Sequence, residues 1–421
     1  MFKIVTPWTG AIGNMSEDIY TSLLTARREK KKVIFLYPYD LFKPFHFSKF
    51  GLGVNKELKK IESEYILLSQ NNPLVVLCNL ILTCIYVVLI SIECFFRIFF
   101  KIKLPIWFRF PVLGRTGIYA RNRQKVFDLD EIEKWGWEED FENFISIKMD
   151  KNSYQKAKKI KFKMGIPENS WFVCLHTRDS GYYTQVADYK EGANKITRNT
   201  DINNYIKVIK YITDKGGWVI RLGNNKMKKL PKMKNLIDYP FTIFKSYLMD
   251  IFLLQECKFF LGNPSGIAEV ATMFQKPCVY VNSVSDIILP PTGKKNNLSI
   301  YSHVYSNLKK RFLSLTEIVE ETKNNKDIYQ LQNTIPEYKI VENSEDEILD
   351  LVKEFMEKKD QNFEPTDIQK NFNKKTKLAG KEILRRKVYS EKFSKMEKFR
   401  KAKLLFSTNG SLGNNYLEKN L

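Results

Sequence analysis

Apolar and polar positions along the first forty residues spell out a strand, a helix and a second strand. FKIV (2–5) predicts a short strand, and KKVIFLYPY (31–39) predicts another. Between them the pattern predicts a turn over 8–14 and a helix from about 16 to 31. Ser16 is placed as its N-cap, with Glu17 and Asp18 complementing the helix dipole. Strand, loop, helix and strand in that order open a doubly wound α/β domain. The turn carries Gly10 and Gly13 as GxxG, not the GxGxxG of a dinucleotide site.

The alternation stops at LVVLCNLILTCIYVVLISI (74–92), where nineteen residues carry no charge. That approaches the roughly 20 residues needed to cross a bilayer. Arg97, Lys101, Lys103 and Arg109 follow it, with Trp107 among them. A simple span would separate the first βαβ unit from the rest of the chain. The expectation is therefore a membrane-associated helical insertion over 73–110 that attaches monotopically, and a buried core helix is the alternative.

From about 151 a second α/β unit is legible. SYQKAKKIKFKMG predicts a basic helix, and SWFVCLHTR (170–178) a buried strand with a polar end. TDINNYIKVIKYITDKG (200–216) predicts an amphipathic helix with Asp201 near its start and Tyr205, Val208 and Ile212 on one face. Strands at 217–223, 258–263 and 276–282 alternate with helices at 247–257 and 265–275, which implies a parallel sheet. Near Asn343 a final segment begins. Ser344 and Glu347 have capping-box spacing, and the tail from Lys370 to Lys403 holds 14 Lys or Arg against 3 Glu. Tyr389, Phe393, Met396 and Phe399 recur along it at helical spacing, as on a helix lying against anionic lipid or packed on the protein. The domains expected are thus 1–150, 151–342 and 343–421.

Composition narrows this picture. The chain has 421 residues, 43% of them hydrophobic, and a formal charge of +22. Such a charge attracts nucleic acid, anionic lipid or phosphorylated substrates. It is concentrated in the tail and no nucleic-acid-binding motif accompanies it, so a nucleic-acid partner is not expected. Six cysteines form no CxxC pair, and His46, His176 and His303 are scattered. Neither a disulfide framework nor a metal centre is expected, and a reducing compartment fits. The first residues predict a strand and no cleavable signal peptide.

Ligands of parallel sheets bind outside the carboxyl ends of the strands, and the candidate chemistry falls there. In FFLGNPSGIAEVATMFQKPCVYVN (259–282) a strand ends at Gly262-Asn263-Pro264 and a helix opens at Ser265-Gly266, with Glu269 one turn inside. The free N–H groups of that helix start would hold phosphate, and Gly266 would permit close approach. LHTRDSGYY (175–183) sets His176, Arg178 and Asp179 at another strand end, and VIRLGN (219–224) sets Arg221 and Gly223 at a third. Arginine on an apolar strand is costly to bury unless it meets an anion. One reading is a pyrophosphate clamp; the other is salt bridges to Asp179, Asp201 or Asp250.

The order HxR, RNTDINNYIKVIKYITDKGGWVIRLGN, DIFLLQECKFFLGNPSGIAEVATMFQKPCVYVN resembles a family of bacterial glycosyltransferases encoded among surface-polysaccharide genes. It is more distantly similar to the inverting fucosyltransferases and other two-Rossmann (GT-B) enzymes, and the likeness covers roughly 170–285. The resemblance implies two facing Rossmann-like domains. The C-terminal one would bind a nucleotide-sugar donor, and the N-terminal one a lipid-linked or polysaccharide acceptor for lipopolysaccharide or capsule. Arg178 and Arg221 would neutralise the departing diphosphate. Asn263, Pro264, Ser265 and Gly266 would form the phosphate and ribose turn, Glu269 would accept from ribose, and Arg198 would face the donor or pair with Asp201. No metal cofactor is implied, and no DxD motif adjoins these strand ends. An inverting reaction needs a base, for which Glu17, Asp18, His176 and Asp179 are candidates. Gly13 and Asn14 would form the acceptor-side loop. The expected location is the cytoplasmic face of the bacterial inner membrane. A sugar-nucleotide epimerase of the same fold and a non-catalytic membrane-anchored protein binding sugar nucleotides or nucleic acid are the alternatives.

Overall fold

In the computed structural model, the described residues are 1–7, 12–39, 56–102, 142–179, 199–283, 291, 293–324, 337–359, 363–385, 405 and 408–421. Two compact units divide the chain, one of residues 1–126 and 145–156, the other of 127–144 and 157–421.

The first unit opens with β1 (Phe2–Val5) and β2 (Lys32–Phe35), paired in parallel from Phe2↔Lys32 to Val5↔Phe35. The helix between them runs Ile12–Arg28 and starts a turn earlier than the sequence pattern implied. Met15, Ile19, Leu23 and Leu24 are fully buried along one face, and burying Met15 draws residues 12–15 into the helix. Ser16 is therefore no N-cap. It is buried inside the helix, and its hydroxyl donates to the Ile12 carbonyl at 2.9 Å. Glu17 and Asp18 lie beyond the first turn, which holds no acidic residue. Gly13 and Asn14 are helical, so the acceptor-side loop expected there is the first turn of a helix. Lys30, at φ 51°, turns the chain toward β2.

A second helix, Pro73–Phe99, covers the uncharged run. The Asn72 side chain caps it by accepting from the Leu74 amide at 3.0 Å, and Pro73 is favourable in the first turn, where no N–H partner is needed. It is long and apolar enough to cross a membrane, with a mean hydropathy of 2.7. Val75, Leu82, Tyr86 and Ile90 pack with Ile34 and Leu36 in a small core of this unit. Residues 103–110 of the expected insertion lie outside the described residues.

The second unit is built on a seven-stranded sheet, every pair parallel, in the order β12-β8-β7-β6-β3-β4-β5. Its strands are β3 (Phe172–His176), β4 (Trp218–Arg221), β5 (Leu236–Asp238), β6 (Phe259–Gly262), β7 (Cys278–Ser283), β8 (Leu298–Tyr301) and β12 (Ser411–Leu412). β9 (His303–Ser306), β10 (Arg311–Phe312) and β11 (Tyr338–Val341) form a separate antiparallel sheet. The fold of this unit is thus mixed α/β around a large parallel sheet. Helix Ile206–Asp214 buries Val208, Ile209 and Ile212 against it, with Tyr205 beside them. Asp201 accepts from the Asn203 amide at 3.0 Å and starts the preceding turn.

The segment from Asn343 belongs to this same unit. Ser344 and Glu347 form the expected capping box, the Ser344 amide donating to Glu347 at 2.9 Å and the Glu347 amide to Ser344 Oγ at 3.3 Å. Ile348, Leu351, Val352 and Phe355 of helix Glu345–Lys359 enter the sheet's core, where the Phe355 ring lies 4.9 Å from that of Phe259. β12 then extends the sheet beside β8. Helix Asp367–Arg385 also packs inward, through Phe372 and Ala379. The stripe at 389–399 lies outside the described residues.

Candidate functional site

Strand order defines where a ligand would sit. From β3 the chain proceeds outward to β4 and β5, then returns to place β6 on β3's other side. The connections diverge between β3 and β6, and such a switch point leaves a crevice at the carboxyl ends of the strands. His176 ends β3 there with Arg178 and Asp179 just beyond it, and Asn263 to Gly266 follow β6.

The two strand ends are tied together closely. The Asn263 amide donates to the His176 carbonyl at 3.2 Å. The Asn263 carboxamide oxygen accepts from the Arg178 amide and from the Thr200 hydroxyl, each at 3.1 Å. Asn263 is 1% exposed, and its Nδ2 has no partner. A donor stands idle at the switch point.

Ser265 caps helix Gly266–Met273, its hydroxyl accepting from the Ala268 amide at 3.4 Å while its carbonyl accepts from the Glu269 amide. Gly266 is exposed. The N–H groups of Gly266 and Ile267, first in the helix, are left for an external acceptor at its positive end. Pro264 is half-buried and fixes the turn into the helix. Glu269 is half-buried in the first turn, and its charge reaches Cys278 and Tyr280 on β7. That places the carboxylate toward β7.

Arg221 behaves differently from Arg178. It is 1% exposed, and its guanidinium donates to Asp238 at 2.8 Å and to the Lys228 carbonyl at 3.0 Å, leaving Nε without a partner. Asp238 stands directly across from it on β5 and also accepts from the Leu230 amide at 2.9 Å. Of the acids considered as partners, Asp201 pairs with Lys228 and Asp250 with Lys245. Gly223 has a packing role: a Cβ there would meet Met227 Sδ at 2.0 Å. Arg198 lies outside the described residues, while Asp179 is half-buried at their edge.

His176 is buried, with Nδ1 3.3 Å from the Leu222 carbonyl. That contact puts the ring proton on Nδ1 and leaves Nε2 as an acceptor. Burial, opposed by the Leu222 carbonyl and reinforced by the charges of Arg221, Arg178 and Lys245, lowers its pKa to about 4. It is a neutral, weakly basic imidazole at pH 7. An unfolded histidine titrates near 6.5, so the native state excludes a proton that the unfolded chain binds. The resulting stabilisation is complete above pH 6.5 and is lost as pH falls toward 4, by about 3 kcal/mol. Urea unfolding from pH 7 to 4 should show wild type losing that much more stability than His176→Asn. Parallel curves would remove the assignment.

Asp18 and Glu17 belong to the first unit. Asp18 is buried near Tyr37, whose phenol is pushed far up, chiefly by burial and secondarily by the Asp18 charge. Tyr37 follows β2, and its hydroxyl has no partner. Tyr37, Thr200 and Asp238 were not singled out by the sequence. Position after an apolar strand was the available signal for Tyr37; for the other two there was none. Among the described residues, no group of three or more His, Cys, Asp or Glu could hold a metal ion.

No family model matches the chain, and no curated protein matches it. Among solved structures it is similar to the crystal structure of a glycosyl transferase family 9 protein from Veillonella parvula DSM 2008. The identity is 10%, over 68% of this chain and 81% of that one, with a TM-score of 0.36. A likeness this loose carries nothing about the chemistry of the site.

Proposed function

We propose that the protein is a membrane-associated glycosyltransferase that takes a nucleotide-sugar donor and needs no metal. The observation carrying this reading is the convergence of Arg178, the idle Asn263 amide and the open helix start at Gly266 on one switch point. Together they make a site for a diphosphate. Backbone N–H groups of Gly266 and Ile267 would bind its oxygens, Arg178 would compensate its charge, and buried Arg221 would add a fixed positive potential. As the bond from the anomeric carbon to the diphosphate breaks, these groups stabilise the charge that develops on the leaving oxygen. The acceptor oxygen bonds to that carbon and its proton passes to a carboxylate. Asp179, after β3 in the same unit, is the candidate; a histidine with a pKa about 4 is poorly matched to that task. In this reading the acceptor is a lipid-linked or polysaccharide glycan of the bacterial surface, met at the cytoplasmic face of the inner membrane.

The test is a thermal-shift screen against nucleoside diphosphates and sugar nucleotides. A ligand at a hundredfold excess over Kd should stabilise wild type by about 2.7 kcal/mol. Arg178→Ala should weaken that ligand by roughly 10- to 100-fold, the loss of one charge-assisted hydrogen bond. If no nucleotide shifts the transition, the donor site is not there. Binding with neither transfer nor donor hydrolysis would leave a non-catalytic sugar-nucleotide-binding protein.

A further inference from the structure

Helix Pro73–Phe99 keeps its polar side chains inward, among Val75, Leu82, Tyr86 and Ile90, and turns an apolar stripe outward. Its inward stripe carries polar side chains that hold the main chain leaving β2. Asn79 accepts from the Tyr37 amide at 2.8 Å, and Thr83 accepts from the Tyr39 amide at 2.7 Å. Asn79 also donates to Gln70 at 3.0 Å, and Gln70 donates to the Phe35 carbonyl at 2.7 Å. Its outward stripe is Leu77, Ile81, Ile85, Val88, Ile92 and Phe95, each between 37% and 57% exposed. At 1.5 Å per residue the helix is about 40 Å long, and its outward face carries no charge before Arg97. Water gives no reason to place amides inward and leucines outward. Hydrocarbon does.

The direction of insertion follows from what flanks the helix. Buried positions run from Val75 to Glu93, so its own unit lies along most of its length. That unit sets Lys59 beside the helix, donating to the Pro38 carbonyl at 3.4 Å between the two amides held by Asn79 and Thr83, and the Glu57–Lys60 ion pair shares its short turn. A helix set across the bilayer would drag these charges into the acyl region, at several kcal/mol each. A helix lying in the membrane plane would bury only its outward stripe and leave the unit in water. Arg97 and Lys101 are exposed at its carboxyl end, Lys103 and Arg109 follow in the sequence, and the whole chain is +22. Anionic headgroups match that charge.

We infer that this helix lies in the plane of an anionic bilayer, within one leaflet, its outward stripe in the acyl boundary and its polar stripe clasping Phe35–Tyr39. The inference rests on the membrane-associated part of the function proposed above and on nothing in the donor site.

The test uses the full chain with phosphatidylcholine vesicles, with and without phosphatidylglycerol. The chain should float with the anionic vesicles and bind them less at high salt. Ile81→Glu with Ile85→Glu, both at exposed positions, should cut partitioning at least tenfold while the thermal transition is unchanged. In a Cys78→Ser, Cys84→Ser, Cys94→Ser background, nitroxides on Leu74→Cys, Ile85→Cys and Phe95→Cys, all on the outward face, should report one common depth, about 5–10 Å below the headgroups. An Ile85 label far deeper than the two ends would overturn the in-plane helix and leave membrane association standing. A chain that floats with neither vesicle overturns both. Nitroxides immobilised in vesicle-free solution by self-association would assign the stripe to a second copy of the chain and overturn the lipid reading.

Discussion

Gly262→Ala is expected to destabilise the second unit by about 3–5 kcal/mol, combining backbone strain with overpacking. Gly262 ends β6 at φ 152°, a conformation that side chains rarely adopt, and a Cβ there would lie 1.9 Å from the His176 carbonyl oxygen. The same Cβ would lie 2.9 Å from the His176 carbonyl carbon and 3.2 Å from its nitrogen. All three are backbone atoms of the neighbouring strand, so no side chain can swing aside. Relief would need β3 and β6 to part, and that pairing is what sets Asn263 beside Arg178. Gly216→Ala is the control. It too has a positive φ, 81°, but nothing lies within 4 Å of its added Cβ, so its cost should stay near 1–2 kcal/mol. Urea unfolding of both variants measures the difference. A Gly262→Ala chain within 1 kcal/mol of wild type, a third of the lower bound set by these strain costs, would mean that the two strands are not this close.

The contrast between these glycines shows where sequence reading runs out. Apolar runs such as FVCLH and KFFLG announce buried strands because water rejects them wherever they sit in the sheet. Their order across the sheet is a tertiary fact. No local pattern states that β6 returns to lie beside β3, and so Gly262 reads as a turn glycine until His176 is seen against it. The same holds at the first helix. Ser16 followed by two acids is a good N-terminus by local preference, but burial of Met15 extends the helix past it. Arginine at the end of β4 could be read as either clamp or ion pair. Its partner could not be named, because Asp238 is 17 residues away and meets it only through the β4–β5 register. Strands β5 and β8 to β12 went unpredicted; β5, β10 and β12 are two or three residues long, too brief for a pattern to register, and β8, β9 and β11 are only four.

Arg221 is the position where fold and function make opposing demands, and a paired substitution separates them. Arg221→Met alone should cost about 3–5 kcal/mol, because it strips the partner from a largely buried carboxylate. Asp238 is 18% exposed along its side chain, so the lower end of that range applies. Asp238→Asn should cost a comparable amount, because its single oxygen cannot take both carboxylate places and a guanidinium 1% exposed is left without an anion. Combining Arg221→Met with Asp238→Asn removes both charges and should recover at least half of the single-variant loss, a coupling of roughly 1.5 kcal/mol or more for side chains in contact. Strict additivity in urea unfolding would dismiss the ion pair as a stabilising unit. Once refolded by the second change, the double variant answers the functional question as well. Nucleotide affinity within threefold of wild type means that Arg221 serves the sheet alone and the diphosphate relies on Arg178 and the helix start. A loss of tenfold or more in a chain of recovered stability, worth about 1.4 kcal/mol of binding, means that the buried cation is felt by the donor even while it holds Asp238.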